Sequence, residues 1–237
     1  MAFNFITPET LFDNHYHAIF DLVATHSPFP CAKSDLFSKA SKIKAARIHL
    51  KETVFFGQVV FNDLEPKKTV EVCAGFGIPS ITLKKLFGVT SSCVDKDPGK
   101  MAVGARISQK LGIDLTWEHR DLFLYLRHHA QELKGATLLA TAAYCQDKKK
   151  GRPKGSGERD LVLFAQKNQM DIALLPYRTG DIIATGVSSE KKRFEEYEKI
   201  LTNAGYKVKK HSTEVLFRGQ GAPDWFFIDI LTAKCIS

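Results

Sequence analysis

Disulfide and metal-binding cysteine patterns are missing from this chain. Its five cysteines, Cys31, Cys73, Cys93, Cys145 and Cys235, are odd in number and include no Cys-x-x-Cys pair. Cys73 and Cys93 fall in apolar runs that read as core strands, which points to a reducing compartment and not to a disulfide framework. The start, Met1 to Phe5, lacks a basic segment followed by an apolar one, so no signal peptide is expected and the cytoplasm is the expected location. No apolar run approaches the roughly 18 residues a membrane span needs, so no membrane partner is expected. The histidines lack metal spacing. His15 and His17, like the adjacent His128 and His129, would point apart on a helix, and no metal is expected. An acidic excess is also absent: 34 Lys and Arg face 26 Asp and Glu, a net charge of +8. No internal repeat is visible. Of the 237 residues 44% are hydrophobic, enough for one large core.

Two phosphate-binding fingerprints are missing as well. Placing the second glycine of a Gly-x-Gly-x-x-Gly motif on Gly75 puts Cys73 and Ile78 at the other two positions. Placing its first two glycines on Gly75 and Gly77 leaves Ser80 at the third, and there is no Walker lysine loop. What is present is Thr69-Val-Glu-Val-Cys-Ala-Gly-Phe-Gly-Ile-Pro-Ser80. Val70 and Val72 mark a buried strand that carries Glu71 near its end. Gly75-Phe76-Gly77 then turns the chain into a helical pattern with Ile78, Ile81, Leu83 and Leu86. Glycines admit positive φ and close approach of a ligand, and a helix start offers unpaired N–H groups. An acid four residues before Gly75 would repel a pyrophosphate. It suits a cofactor with a cationic end, such as S-adenosylmethionine (SAM), which has a sulfonium and an ammonium.

Two further strands end in acids. Ser91-Ser-Cys-Val-Asp95 is followed by Pro98 at the first turn of a helix with Met101, Val103, Ile107 and Leu111 on one face. Asp95 is placed to accept two ribose hydroxyls. Leu115 to Leu122 reads as a third strand ending in Asp121, where a carboxylate could accept from an adenine amino group. Thr137 to Tyr144 is a near-continuous apolar run, as in a parallel strand covered on both faces.

With Glu71-Val-Cys-Ala-Gly-Phe-Gly77, Val94-Asp-Lys-Asp-Pro98 and Arg120-Asp-Leu122 in this order, the chain resembles a class I SAM-dependent methyltransferase over about residues 69–234. Many relatives have Gly where Cys73 stands. The resemblance implies an α/β three-layer sandwich: a mostly parallel seven-stranded sheet with a C-terminal antiparallel hairpin, plus N-terminal helices. It implies a helical cap over 1–68 packed on a Rossmann-like methyltransferase domain over 69–237. It also implies a SAM site built from Glu71, Ala74, Gly75, Phe76, Gly77, Asp95, Lys96, Asp121, Leu122 and Thr141.

The flanks agree with that fold. Asp171 to Pro176 reads as a fifth strand. Ser188 to Ala204 reads as a helix stopped by Gly205, with Phe194, Tyr197, Ile200 and Leu201 on one face. Tyr206 to Phe217 and Asp224 to Lys234 read as the closing pair of strands. In the first 68 residues, Thr7-Pro-Glu-Thr10 opens a helix with Leu11, Phe12, His15, Ile19 and Leu22, which Ser27-Pro-Phe-Pro30 breaks. A second helix is expected from Ser34 to about Ala46 and a further apolar stretch over Val54 to Phe61. These helices either shape a substrate pocket or simply cap the sheet. Trp117 and Trp225 fall in expected strands and read as core.

The acceptor end rests on fewer residues. Asp147-Lys-Lys-Lys-Gly-Arg-Pro-Lys-Gly-Ser-Gly-Glu-Arg159 is a basic, Gly-rich insertion after the fourth strand, and its glycines and proline argue against a helix. Lys148, Lys149, Lys150 and Arg152 are candidate contacts to RNA or another anionic substrate, against the alternative of a solvated loop. The amino-methylating relatives' Asn/Asp-Pro-Pro-Tyr/Phe motif is replaced by Thr141-Ala-Ala-Tyr144. Tyr144 is a candidate to pack on a flat substrate ring and Cys145 a candidate nucleophile, with Lys148 to Lys150 able to lower its pKa. The functional expectation is a SAM-dependent methyltransferase whose acceptor is RNA. The alternatives are a protein or small-molecule acceptor, or a SAM-fold binding protein without turnover.

Overall fold

The computed structural model describes residues 5–26, 39–141, 156–175, 187–217 and 224–236. Within them, five strands alternate with helices before a final hairpin. The strands are β1 (Lys68–Val72), β2 (Thr90–Asp95), β3 (Thr116–His119), β4 (Thr137–Thr141), β5 (Asp171–Leu175), β6 (Tyr206–Phe217) and β7 (Asp224–Cys235). They form one sheet in the order β3-β2-β1-β4-β5-β7-β6. β1 to β5 pair in parallel, and β7 runs antiparallel to both β5 and β6. This is the mostly parallel seven-stranded sheet with a closing antiparallel hairpin that the motifs imply.

Alternation along the strands sends side chains to two helical layers. Val70, Val72, Val94, Leu138, Ala140, Ile172 and Leu174 face one layer. It contains α6 (Leu122–His128), α7 (Ser156–Lys167) and α8 (Val187–Asn203), the last contributing Tyr197 and Leu201 to the core. On the opposite face Cys93, Leu139, Ala173 and Leu175 meet α3 (Lys39–Leu64), α4 (Ile78–Phe87) and α5 (Pro98–Lys110). α1 (Pro8–Phe12), a 3-10 turn at Asp13–His15 and α2 (Tyr16–His26) pack over α3 and α5. Leu11, Phe12, Ile19 and Val23 join the same apolar cluster as Ile78, Ile81 and Ile107. Among the described residues no helix is long and apolar enough to cross a membrane.

Four element boundaries differ from the sequence reading. α3 is one helix of 26 residues, where a helix to Ala46 and a separate stretch from Val54 were expected. Nothing between those residues breaks a helix, since the span holds neither Gly nor Pro. Gly57, farther on, sits in close packing. A Cβ there would stand 3.0 Å from Thr82 Cβ and 3.1 Å from Pro79 O on α4. The N-terminal helix is divided at the 3-10 turn, where Asp13 has φ +45°. β3 stops at His119 and not at Asp121: the Arg120 N–H makes the last bond to β2, to Asp95 O at 3.1 Å, and Asp121 already caps the next helix. Finally, α7 begins at Ser156, so Ser156 to Arg159 of the basic insertion are helical and not loop. Tyr144, Cys145, Lys148, Lys149, Lys150 and Arg152 lie outside the described residues.

Candidate cofactor site

The central strand β1 delivers the chain to the carboxyl edge of the sheet at Val72, and five residues, Cys73 to Gly77, turn it into α4. Cys73, Gly75 and Gly77 have φ of +54°, +56° and +63°. The left-handed region is natural for glycine but costs an L-residue about 1–2 kcal/mol, so Cys73 holds the turn under strain where many methyltransferases have Gly. The turn is closed by Ala74 N–H to Val94 O at 3.2 Å and Gly77 N–H to Ala74 O at 2.8 Å.

Glycine is needed at the two turn positions for different reasons. At Gly77 a Cβ would stand 2.6 Å from the Trp117 ring and 3.0 Å from Cys93 Sγ, so the loop is pressed onto β2 and β3 from below. At Gly75 a Cβ would meet only Lys100 Cδ, at 3.8 Å. The outer face of Gly75 is therefore open to a ligand, while its inner neighbours are packed. Phe76, at 2% exposure, turns its ring into the N-terminal helices and edge-on to His49, with centroids 5.7 Å apart. Of the expected site residues, Phe76 and Ala74 can meet a cofactor only through their backbone, since both side chains are buried in the core.

Asp95 ends β2 beside this loop. One carboxylate oxygen accepts the Gly75 N–H at 2.7 Å and the other the Asp97 N–H at 2.9 Å. A carboxylate has about four acceptor sites, so two remain, the number a ribose diol would use. Asp95 thus fixes the height of Gly75 and retains acceptor sites beside it. Asp97 then caps α5 through Gly99 N–H and Lys100 N–H, both at 3.1 Å. Lys96 is exposed between them. Asp121 starts α6 as its N-cap, accepting from Phe123 N–H at 3.0 Å and Leu124 N–H at 3.1 Å through one oxygen. It is exposed, so its other oxygen can take a donor from outside. Leu122 is half-buried, and Thr141 is buried at the tip of β4.

Glu71 is placed differently. It has no exposure, and it faces α4. Its Oε2 accepts the Ser80 N–H at 3.0 Å and the Ser80 hydroxyl at 2.7 Å, while Oε1 is buried without a hydrogen-bond partner. Burial pushes its carboxyl up to about 8; the Ser80 bonds counter this in part and the Asp95 charge adds to it. Cys93, in register with Glu71 on β2, has its thiol pushed well up by burial and by the Glu71 charge. Its buried thiol is inert as a nucleophile.

The sequence reading missed Ser80, His49 and Trp117 as parts of this edge. In the sequence Ser80 stands only where a third glycine would, whereas in the structure its N–H and hydroxyl are the donor pair that holds Glu71. His49 and Glu52, 6% and 1% exposed, are buried polar residues on α3. Their only signal in the sequence is polar character on a helix otherwise turned to the core.

An acid-bearing first strand, a positive-φ glycine turn, an acid ending β2 and an acid just after β3 now stand together at one edge of a 3-2-1-4-5-7-6 sheet. This is the class I methyltransferase fold. The structure is similar to the precorrin-6y C5,15-methyltransferase of Geobacter metallireducens, with a TM-score of 0.54 at 12% identity over 78% of this chain and 89% of that one. It is similar to the plantazolicin methyltransferase BpumL in complex with a pentazolic desmethylPZN analog and SAH (S-adenosylhomocysteine), with a TM-score of 0.52 at 13% identity. That match covers 97% of this chain and 95% of the other, so it takes in the N-terminal helices. A third, the precorrin 8w decarboxylase of Methanobacterium thermoautotrophicum, has a TM-score of 0.51 at 12% identity over 76% and 89% of the two chains. No family profile matches the chain, and no curated protein matches it.

The residues present fit SAM. Gly75 leaves open the face that a methyltransferase uses for its cofactor, Asp95 has spare acceptors beside it, and Glu71 Oε1 is an unsatisfied buried acceptor under the loop.

Proposed function

We propose that the chain is a SAM-dependent methyltransferase that acts on RNA. The observation that carries the cofactor half is Asp95 gripping the open Gly75 through its backbone N–H, with two acceptor sites left over. When bound, SAM supplies a methyl group on a cationic sulfur. Asp95 holds the ribose from the end of β2, and Asp121 the adenine amino group from the cap of α6. Glu71, Gly75 and Gly77 set the loop on which the amino-acid end rests, Ala74 and Phe76 contribute backbone, and Lys96, Leu122 and Thr141 border the site. Position and exclusion of water supply most of the rate in such a displacement.

The RNA half rests on charge. The chain has a net charge of +8, and the run holding Lys148, Lys149, Lys150 and Arg152 follows β4. β4 ends at Thr141 on the same edge as the glycine loop, so Tyr144 and Cys145 follow that edge by three and four residues. Residues 1–68 act as a helical cap on the 69–237 domain, and α3 brings His49 to the loop. The described cysteines Cys73, Cys93 and Cys235 are not in disulfides, which suits a reducing cytoplasm.

Calorimetry with SAM and SAH on wild type and Asp95→Ala tests the cofactor half. Loss of two charge-assisted bonds is expected to cost on the order of 2–4 kcal/mol of SAM affinity, with circular dichroism confirming the fold. Unchanged affinity in folded Asp95→Ala would sink the assignment. Transfer of label from SAM into fractionated RNA, protein and metabolites tests the acceptor. Label in protein or metabolites alone replaces RNA as acceptor, and binding without transfer leaves a SAM-binding protein.

A further inference from the structure

Glu71 is a carboxyl group with no exposure at the tip of the central strand, and half of it is unsatisfied. An ionised carboxylate in such a place costs several kcal/mol unless it is matched by charge or by enough donors. The groups around it do not match it. On its own strand Val70 and Val72 are apolar and face the other layer. β4 presents Leu139 in register with it, and β2 presents the neutral thiol of Cys93. Asp95, two residues farther along β2, carries charge of the same sign. α4 supplies the two Ser80 donors, both to Oε2. From α5, the Lys100 stem lies against the outer side of the loop at Gly75, and its charge is not among those that act on Glu71. From α3, the His49 ring meets Phe76. Nothing among these neutralises a charge on Oε1.

We propose that Glu71 reads the charge of the cofactor: it is protonated in its absence, releases the proton when the cationic methyl donor binds, and takes one up again when transfer leaves a neutral thioether. The inference rests on the SAM reading and deepens it, by assigning to one residue the discrimination between donor and spent product. The charge balance is explicit. During transfer the methyl–sulfur bond breaks, its electron pair stays on sulfur, and the bond from the acceptor atom to carbon forms. The acceptor's proton leaves to solvent. The sulfonium charge is then gone, the ionised Glu71 has lost its counter-charge, and it is reprotonated from solvent. SAM and SAH share the same ammonium, carboxylate and ribose, so a difference between them isolates the sulfonium.

The test is isothermal calorimetry of SAM and of SAH, each in buffers of different ionisation enthalpy, from pH 6 to pH 8. Wild type is expected to release close to one proton per SAM bound near pH 6.5 and distinctly fewer per SAH. The ratio of SAM to SAH affinity is expected to rise with pH, by at most about tenfold per unit. Glu71→Gln keeps an oxygen for the Ser80 donors and is expected to lose both the proton difference and the pH dependence of the ratio. Equal proton release for the two ligands by wild type overturns the proposal. So does a folded Glu71→Gln variant that keeps the difference. If that variant does not fold, the wild-type comparison alone decides. Failure of wild type to bind either ligand removes the SAM reading and this proposal with it. Binding of both with no proton difference removes only the proposal.

Discussion

At the residue scale, Glu71 also ties stability to pH. Its carboxyl is raised from 4.5 to about 8 in the folded chain. Between those values the unfolded state has lost the proton and the folded state retains it, so raising the pH favours unfolding. The stability contributed by the neutral carboxyl is complete below about pH 4.5 and is lost as pH rises through about 8, an effect on the order of a few kcal/mol. Without cofactor, Glu71→Gln is expected to flatten the fall in denaturant midpoint from pH 5 to pH 8 relative to wild type. Parallel curves for the two proteins would show that Glu71 is ionised throughout. The sequence shows an acid at this position but not its state. Val70 and Val72 announce a buried strand, whereas the pairing with Ser80 depends on how α4 docks.

At the element scale, the join of β1, β3 and α5 is set by one aromatic ring. Trp117 on β3 lies against both Gly77 of the loop and Gly104 of α5. A Cβ on Gly104 would stand 2.3 Å from the ring and 2.7 Å from Phe76 O. Two effects compete in Gly104→Ala. Alanine favours the helix by about 1 kcal/mol, but overpacking a rigid ring and a backbone oxygen costs typically 1–3 kcal/mol. The overlap is severe, so the collision wins. The variant is expected to melt lower than wild type and to shift Trp117 emission as the ring is displaced. An equal or higher Tm would mean that α5 can slide outward freely. Gly104 is not distinguished in the sequence from any other helical glycine, because only the approach of β3 gives it a role.

At the scale of the whole molecule, the charge of +8 and the position of the basic run after β4 carry the substrate prediction. Each phosphate neutralised on a single strand contributes a slope of roughly 0.7 in log affinity against log salt. Replacing Lys148, Lys149 and Lys150 with Ala is therefore expected to flatten RNA binding by about two units if all three engage, with SAM affinity unchanged. Identical salt slopes for wild type and the triple variant would remove this run from the RNA contact. At the far side of the molecule, Asp63 of α3 receives Lys209, His211 and Thr232, Thr232 at 2.6 Å, and fastens the first long helix to the closing hairpin. These partners are separated by about 150 residues or more in the sequence, and only the closed sheet brings them together.

The sequence by itself determined the order of the seven strands along the chain, the glycine turn, and the acids Glu71 and Asp95 near the tips of the first two. These follow from local rules: period-two and period-3.6 apolarity, and Pro98 at a helix start. The tertiary structure decided what those residues are used for. Asp121 is a helix cap and not a strand end because β3 makes its last bond to β2 through Arg120 N–H and the Asp121 carboxylate then takes the first N–H groups of α6. α3 stayed whole because no residue within it prevents a helix and Gly57 allows α4 close beneath it. Glu71 became a buried, half-satisfied acid and Asp95 a half-used one. Burial and the direction of hydrogen bonds depend on which elements pack together, and residues distant in the chain settle that only once the sheet has closed.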